Sequence, residues 1–326
     1  MTDVVLVDEG GLALDHDGTL TWAEIECGPF GPAFFAVIAE KLRQPLDFVL
    51  ERAKKIYEET ILPNPARFGW VLDDPFVFNG ETFPRQRFMA PATPDPMLRC
   101  NAIGRELLRG VMDPAEIGKF LNGAYGVGYE ATIDAPKEGL AEFLEEVCRR
   151  KMRTRIATNS ATDAVQRKLL RHLGESELYR WWHERVVGGA RKFDPTEIVP
   201  KDDSPESLAA AALWPADYPA EIELPGFPRA TVIKRPRLLK FLVEFKASIE
   251  KDLGHEIPWS RIVFVGDIFD IDLVLALWLG CHVGFMTNEF SPAWEVAYIT
   301  NHPRGIIMTG VAEILPFYDY VQSLPA

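Results

Sequence analysis

Six short apolar runs, set off by turns and helical patterns, constrain the fold of this chain more than any other feature. They are Leu12–Leu14, Thr154–Ser160, Arg185–Gly189, Arg261–Asp267, His282–Thr287 and Gly305–Met308. Strands that read as continuous apolar runs, rather than alternating apolar and polar, are those buried on both faces. When such strands alternate with helices, the arrangement that covers them is a parallel sheet between two helical layers. The predicted fold class is therefore α/β, a Rossmann-like doubly wound parallel sheet. Ligands of such sheets gather beyond the carboxyl ends of the strands.

Two segments break the alternation. From Thr21 to about Asp134 the pattern is mostly helical, as in Phe34–Thr60 and Arg99–Met112, with a proline-broken stretch Pro65–Pro84 between them. This piece is predicted to be a helical cap domain, residues 21–134, inserted into a core formed by residues 1–20 and 135–326. The second segment, 193–228, is rich in proline and acid and reads as a lid or surface excursion. Gly123–Gly128, G-A-Y-G-V-G, has no βαβ unit around it and reads as a hinge or loop. Trp181-Trp182 reads as packing.

The chemistry-bearing residues fall at the predicted strand ends. The first strand runs into D-H-D-G-T, and residues two apart on a strand share a side, so Asp15 and Asp17 are expected to aim at one spot. A later strand ends in G-D-I-F-D-I-D, which carries Asp267 and Asp272. Carboxylates gathered in this way need a divalent cation, and all-oxygen ligation suits Mg²⁺. A carboxylate can also attack phosphorus, splitting one hard hydrolysis into two easier steps. Thr158 and Asn159, before the next helix, are candidates to hold a phosphate oxygen. A lysine is needed to neutralise developing phosphoryl charge, and two are placed for it. Lys234 precedes G-D by a suitable interval and is preferred, while Lys192 follows its strand more closely. His16 reads as a spacer pointing away from the site, and Asp270 as a solvated acid in a first helical turn.

In chain order these motifs resemble the haloacid dehalogenase superfamily, in its phosphatase branch. The resemblance covers residues 10–20 and 135–320, including Asp134–Val147 before the second strand. It implies Asp15 as nucleophile, Asp17 as acid/base and Thr158 as a phosphate-binding hydroxyl. It also implies Asp267 as a metal ligand and Asp272 as support for the metal's waters, so that Asp15, Asp17, Asp267 and Asp272 form the expected metal set. The inserted helical segment is similar in position to that family's caps.

The expected activity is Mg²⁺-dependent hydrolysis of a small phosphorylated metabolite. The alternatives are phosphotransfer or mutase chemistry on the same scaffold, or a non-catalytic member that binds a ligand. A net charge of −13 argues against nucleic-acid or anionic-membrane partners. Four cysteines far apart, without metal-ligand spacing, fit a reduced, cytoplasmic setting. The acidic start of the chain does not read as a signal peptide, and no apolar window is long enough to span a bilayer.

Overall fold

The structure is a computed structural model of the 326-residue chain. It describes residues 9–61, 63, 69–71, 76–78, 81–83, 86–89, 96–132, 135–192, 214–227 and 230–325. The chain forms two compact units, one running to Trp22 and resuming at Pro136, the other spanning Ala23–Ala135.

The larger unit is built on a six-stranded sheet, parallel throughout. Its strands are β1 (Gly11–Leu14), β2 (Thr154–Ala157), β3 (Val186–Val187), β4 (Ile262–Gly266), β5 (His282–Met286) and β6 (Gly305–Met308). They lie in the spatial order 3-2-1-4-5-6, so the chain winds outward in both directions from β1 and β4. The predicted doubly wound sheet is thus the observed one. The switch point falls between β1 and β4, where such sheets open a crevice for ligands.

Alternate residues of the central strands face opposite helical layers. Leu12, Leu14, Val263 and Val265 pack with Leu144, Val165 and Val321. Those residues come from the helices Leu140–Arg149, Thr162–Leu173 and Ile314–Ser323. Ala13, Phe264 and Phe285 face the other way, against Leu242 and Phe245 of the helix Pro236–Leu253. Full burial of each large side chain is worth roughly 1.5–3 kcal/mol, so both layers hold the sheet. Trp182, fully buried, adds an indole N–H bonded to the Leu144 carbonyl at 3.1 Å.

The smaller unit contains the helices α1 (Ala23–Leu42), α2 (Leu46–Ile56), α3 (Pro96–Leu108) and α4 (Pro114–Glu130) around their own apolar core. It also carries short antiparallel strand pairs, Gly69–Val71 with Gln86–Met89 and Phe76–Phe78 with Glu81–Phe83, in and just after the proline-broken stretch of a segment expected to be mostly helical. The run expected to be helical from Phe34 to Thr60 is divided at Pro45, which precedes α2. α1 begins earlier than the pattern suggested and carries Pro29 and Pro32 inside it.

G-A-Y-G-V-G is not a hinge but part of α4. A Cβ on Gly128 would stand 2.9 Å from the Phe30 ring, so the glycine there is a packing requirement that imitates a loop signature. Of the second irregular segment, 193–213 lies outside the described residues. Trp214, Tyr218 and Phe227 beyond it pack on the core of the larger unit, with the Tyr218 ring 4.5 Å from that of Trp278. That part is anchored structure rather than a lid.

Candidate active site

The parallel register brings the first acidic pair together. Leu14 lies opposite Val265, and the Asp15 N–H donates to the Val265 carbonyl at 2.8 Å. Asp15 and Asp267 therefore leave the sheet side by side at the carboxyl ends of β1 and β4. Asp272 returns to the same place through the wide turn Phe269–Leu273, where its Oδ2 accepts the Ile268 N–H at 3.1 Å. Two glycines make the approach possible. A Cβ on Gly266 would lie 2.4 Å from the Asp272 Cβ, and one on Gly18 would lie 2.1 Å from an Asp267 oxygen. Gly18 also has φ +78°, a conformation that favours glycine.

Asp15, Asp267 and Asp272 are all buried, and each offers an oxygen within 4.8 Å of the others. Lys192, 1% exposed, donates to Asp15 at 2.5 Å and also to Asp272. Burial works to strip the ammonium of its proton, but the two carboxylates outweigh that effect and hold its pKa above the ordinary lysine range. Burial raises the Asp15 pKa to about 7; Lys192 opposes that shift, while Asp272 and Asp17 add to it. Thr19 donates to the other Asp15 oxygen at 3.2 Å.

Asp17 stands outside this triad. β1 ends at Leu14, so both acids lie in the following turn and the two-residue strand period no longer governs them. The Asp17 carboxylate accepts Lys168 at 3.1 Å, the Ser160 hydroxyl at 2.5 Å and the Thr158 hydroxyl at 3.3 Å. The His16 Nδ1 lies 3.2 Å from it, so His16 is not a spacer turned away. Burial opposes the charge on Asp17. Lys168, His16 and Ser160 overcome it and hold the carboxyl well below its usual range. The side chain of Asp17 is thus not brought into the metal-ligand set expected for it.

The preference for Lys234 is reversed. Lys192 is the lysine whose ammonium meets Asp15, while Lys234 is half-buried just before the helix Pro236–Leu253, its N–H on the Ala220 carbonyl. Spacing in sequence favoured the wrong lysine because the deciding fact is a contact between residues 177 apart, Lys192 on Asp15, which local pattern does not encode. Asn159 is exposed, and its Oδ1 accepts the Lys192 backbone N–H at 2.7 Å, bracing the turn that carries the lysine. Thr158 is buried, and its Oγ1 also accepts the Ser160 N–H at 3.1 Å. Asp270 is buried at 4% exposure rather than solvated.

Sequence reasoning passed over three contributors. Ser160 was hidden in the N-cap region, and Lys168 in the middle of an amphipathic helix. Asn288, just beyond β5, donates to Asp267 at 3.1 Å and had no motif around it.

The donor set fits a hard divalent cation. Its oxygens are carboxylates, the donors Mg²⁺ and Ca²⁺ take. Three clustered carboxylates, Asp15, Asp267 and Asp272, face one lysine, Lys192, leaving two negative charges among these four groups when all are ionised. One divalent ion cancels them.

No protein-family model matches the chain, and no curated protein matches it. Among solved structures the chain is similar to a protein described as a predicted phosphoglycolate phosphatase from Haemophilus somnus 129pt, at 13% identity and a TM-score of 0.48, over 95% of this chain and 97% of that one. It is similar to CbbY from Rhodobacter sphaeroides in complex with phosphate at 14% identity and a TM-score of 0.44, over 95% of this chain and 99% of that one. A 2-haloacid dehalogenase from Pseudomonas syringae pv. Tomato DC3000 gives 13% identity and a TM-score of 0.45, covering 95% and 98% of the respective chains. At such identities and scores, what bears on chemistry is the side-chain arrangement itself. Among the described residues no helix is long and apolar enough to cross a membrane.

Proposed function

We propose that this chain is a Mg²⁺-dependent phosphomonoester hydrolase of the haloacid dehalogenase type, acting on a small phosphorylated metabolite through an aspartyl-phosphate on Asp15. The observation that carries the reading is the buried Asp15–Asp267–Asp272 triad with Lys192 across it, beside a separately held carboxylate two residues from Asp15. An ion pair kept only for stability would have no use for a third buried carboxylate, with the half-buried Asp17 beside it, at one strand-end crevice.

Asp15, Asp267 and Asp272 are the residues that would hold the cation, with Asn288 orienting Asp267. When bound, Mg²⁺ supplies Lewis-acid neutralisation of phosphoryl charge. The proposed steps belong to the protein. An Asp15 oxygen attacks phosphorus as the bond to the ester oxygen breaks, and Asp17 delivers its proton to that oxygen. Asp17 then takes a proton from water, whose oxygen attacks phosphorus and releases Asp15 with inorganic phosphate. Lys192 carries positive charge to the reacting oxygens throughout. Asp17 is strongly acidic in the resting protein, and an adjacent phosphate dianion raises its proton affinity as any neighbouring negative charge does.

The test is release of inorganic phosphate from p-nitrophenyl phosphate with Mg²⁺ and with chelator, for the native protein and Asp15→Asn. Metal-dependent turnover lost by on the order of 10³-fold or more in the variant supports the reading. No turnover with any divalent metal, or an Asp15→Asn variant that still turns over, rejects it.

A further inference from the structure

The helix Thr162–Leu173 presents Ala164, Val165 and Leu169 to the core, and Lys168 lies on that same face by the three- and four-residue spacing. An apolar residue would satisfy this position. Lysine is there instead, at 4% exposure, and burying an ammonium costs several kcal/mol unless it is paired. Its Nζ reaches Asp17 Oδ1 at 3.1 Å. The other oxygen, Oδ2, is taken by Ser160 at 2.5 Å and Thr158 at 3.3 Å. The two acids of D-H-D are thus each given a lysine of their own, Lys192 for Asp15 and Lys168 for Asp17.

We infer that Lys168, seconded by Ser160, is a positioning residue that keeps the Asp17 carboxylate out of the cation's ligand set, so that it stays available to carry the proton of the leaving group. The inference rests on the proposed phosphatase reading. Its physical basis is a competition. A divalent cation held by Asp15, Asp267 and Asp272 attracts every carboxylate within reach, and Asp17 is two residues from one ligand, on a turn that strand geometry does not restrain. A carboxylate drawn onto the cation no longer has an oxygen directed at a leaving group. The opposing pull comes from one full positive charge and two hydroxyls anchored on the β2 side, with the adjacent His16 Nδ1 3.2 Å from the carboxylate.

The experiment compares native protein, Lys168→Met and Ser160→Ala by two readouts. The first is kcat/KM in Mg²⁺ for p-nitrophenyl phosphate, whose leaving group needs no proton, and for ethyl phosphate, whose leaving group does. Lys168→Met is expected to lose ~30- to 100-fold on ethyl phosphate and under ~3-fold on the aryl ester, within the range general acids contribute. Ser160→Ala is expected to show the same split at smaller size, and it serves if Lys168→Met does not fold. The second readout is Mg²⁺ affinity by calorimetry, which needs no turnover. Lys168→Met is expected to bind Mg²⁺ at least ~3-fold more tightly, because Asp17 is released toward the cation. Equal losses on both esters, no loss on either, or unchanged or weaker Mg²⁺ binding overturns the inference. If the native protein hydrolyses neither ester, the phosphatase reading fails, and the calorimetric comparison still decides what Lys168 does.

Discussion

Replacing Lys192 by methionine removes an ammonium bonded to both Asp15 and Asp272 and leaves the two carboxylates facing each other in the interior. Breaking a buried pair by deleting one partner costs about 3–5 kcal/mol. The structure adds a pH signature to that figure. With Lys192 present, burial already raises the Asp15 pKa to about 7 in the metal-free protein. A carboxyl whose folded pKa lies above its unfolded value stabilises the fold at low pH, and that contribution is lost as pH rises through the folded pKa. From pH 6 to 8 the native protein therefore loses about 1.4 kcal/mol through Asp15. Without Lys192 the carboxyl is pushed higher still and stays protonated, so the variant loses about 2.7 kcal/mol over the same interval. The destabilisation by Lys192→Met should thus be about 3 kcal/mol at pH 6 and larger by roughly 1.4 kcal/mol at pH 8. Urea unfolding followed by tryptophan fluorescence, in chelator at both pH values, measures it. A cost below about 1 kcal/mol, or one equal at the two pH values, would refute the reasoning.

Three further outcomes follow from the same geometry. Because Asp15 must lose its proton to bind a cation, Mg²⁺ affinity should rise about tenfold from pH 6 to pH 8, the ratio of ionised fractions for a pKa of about 7; a flat profile in titration calorimetry contradicts this. Gly18→Ala would put a methyl 2.1 Å from an Asp267 oxygen at a positive φ, so Mg²⁺ binding should weaken by on the order of tenfold or more while the fold loses about 1 kcal/mol; native-like affinity would show that Asp267 is not a ligand. Trp182→Phe removes the bond to the Leu144 carbonyl but keeps most of the ring volume, and should cost about 1–2 kcal/mol in urea unfolding with Mg²⁺ affinity unchanged.

Much of the core was legible because burial on both faces leaves a mark in sequence. Runs such as I-V-F-V cannot sit anywhere but between two apolar layers, and the observed sheet keeps Val263 and Val265 on one side and Phe264 on the other. Asp15 and Asp267 were legible for the same reason, since each directly follows such a strand. The orientation of Asp17 was not, because a period of two applies only within a strand and β1 stops at Leu14. Lys168 was invisible as a site residue because a long side chain on a helix reads as surface until packing places its tip. The choice between Lys192 and Lys234 depended on a tertiary contact, Lys192 on Asp15, which local pattern does not encode. G-A-Y-G-V-G misled through composition: glycine signals a break, yet α4 continues through it, and Gly128 there packs closely on the Phe30 ring.

The account turns on whether three acids distant in sequence hold a single divalent ion. Mn²⁺, a spin probe for a Mg²⁺ site, can be titrated into the native protein and into Asp267→Asn and followed by electron paramagnetic resonance. One bound equivalent in the native protein, lost or weakened at least ~10-fold in the variant, is the predicted result. Binding of the same stoichiometry and strength in both proteins, or none in the native one, would contradict it.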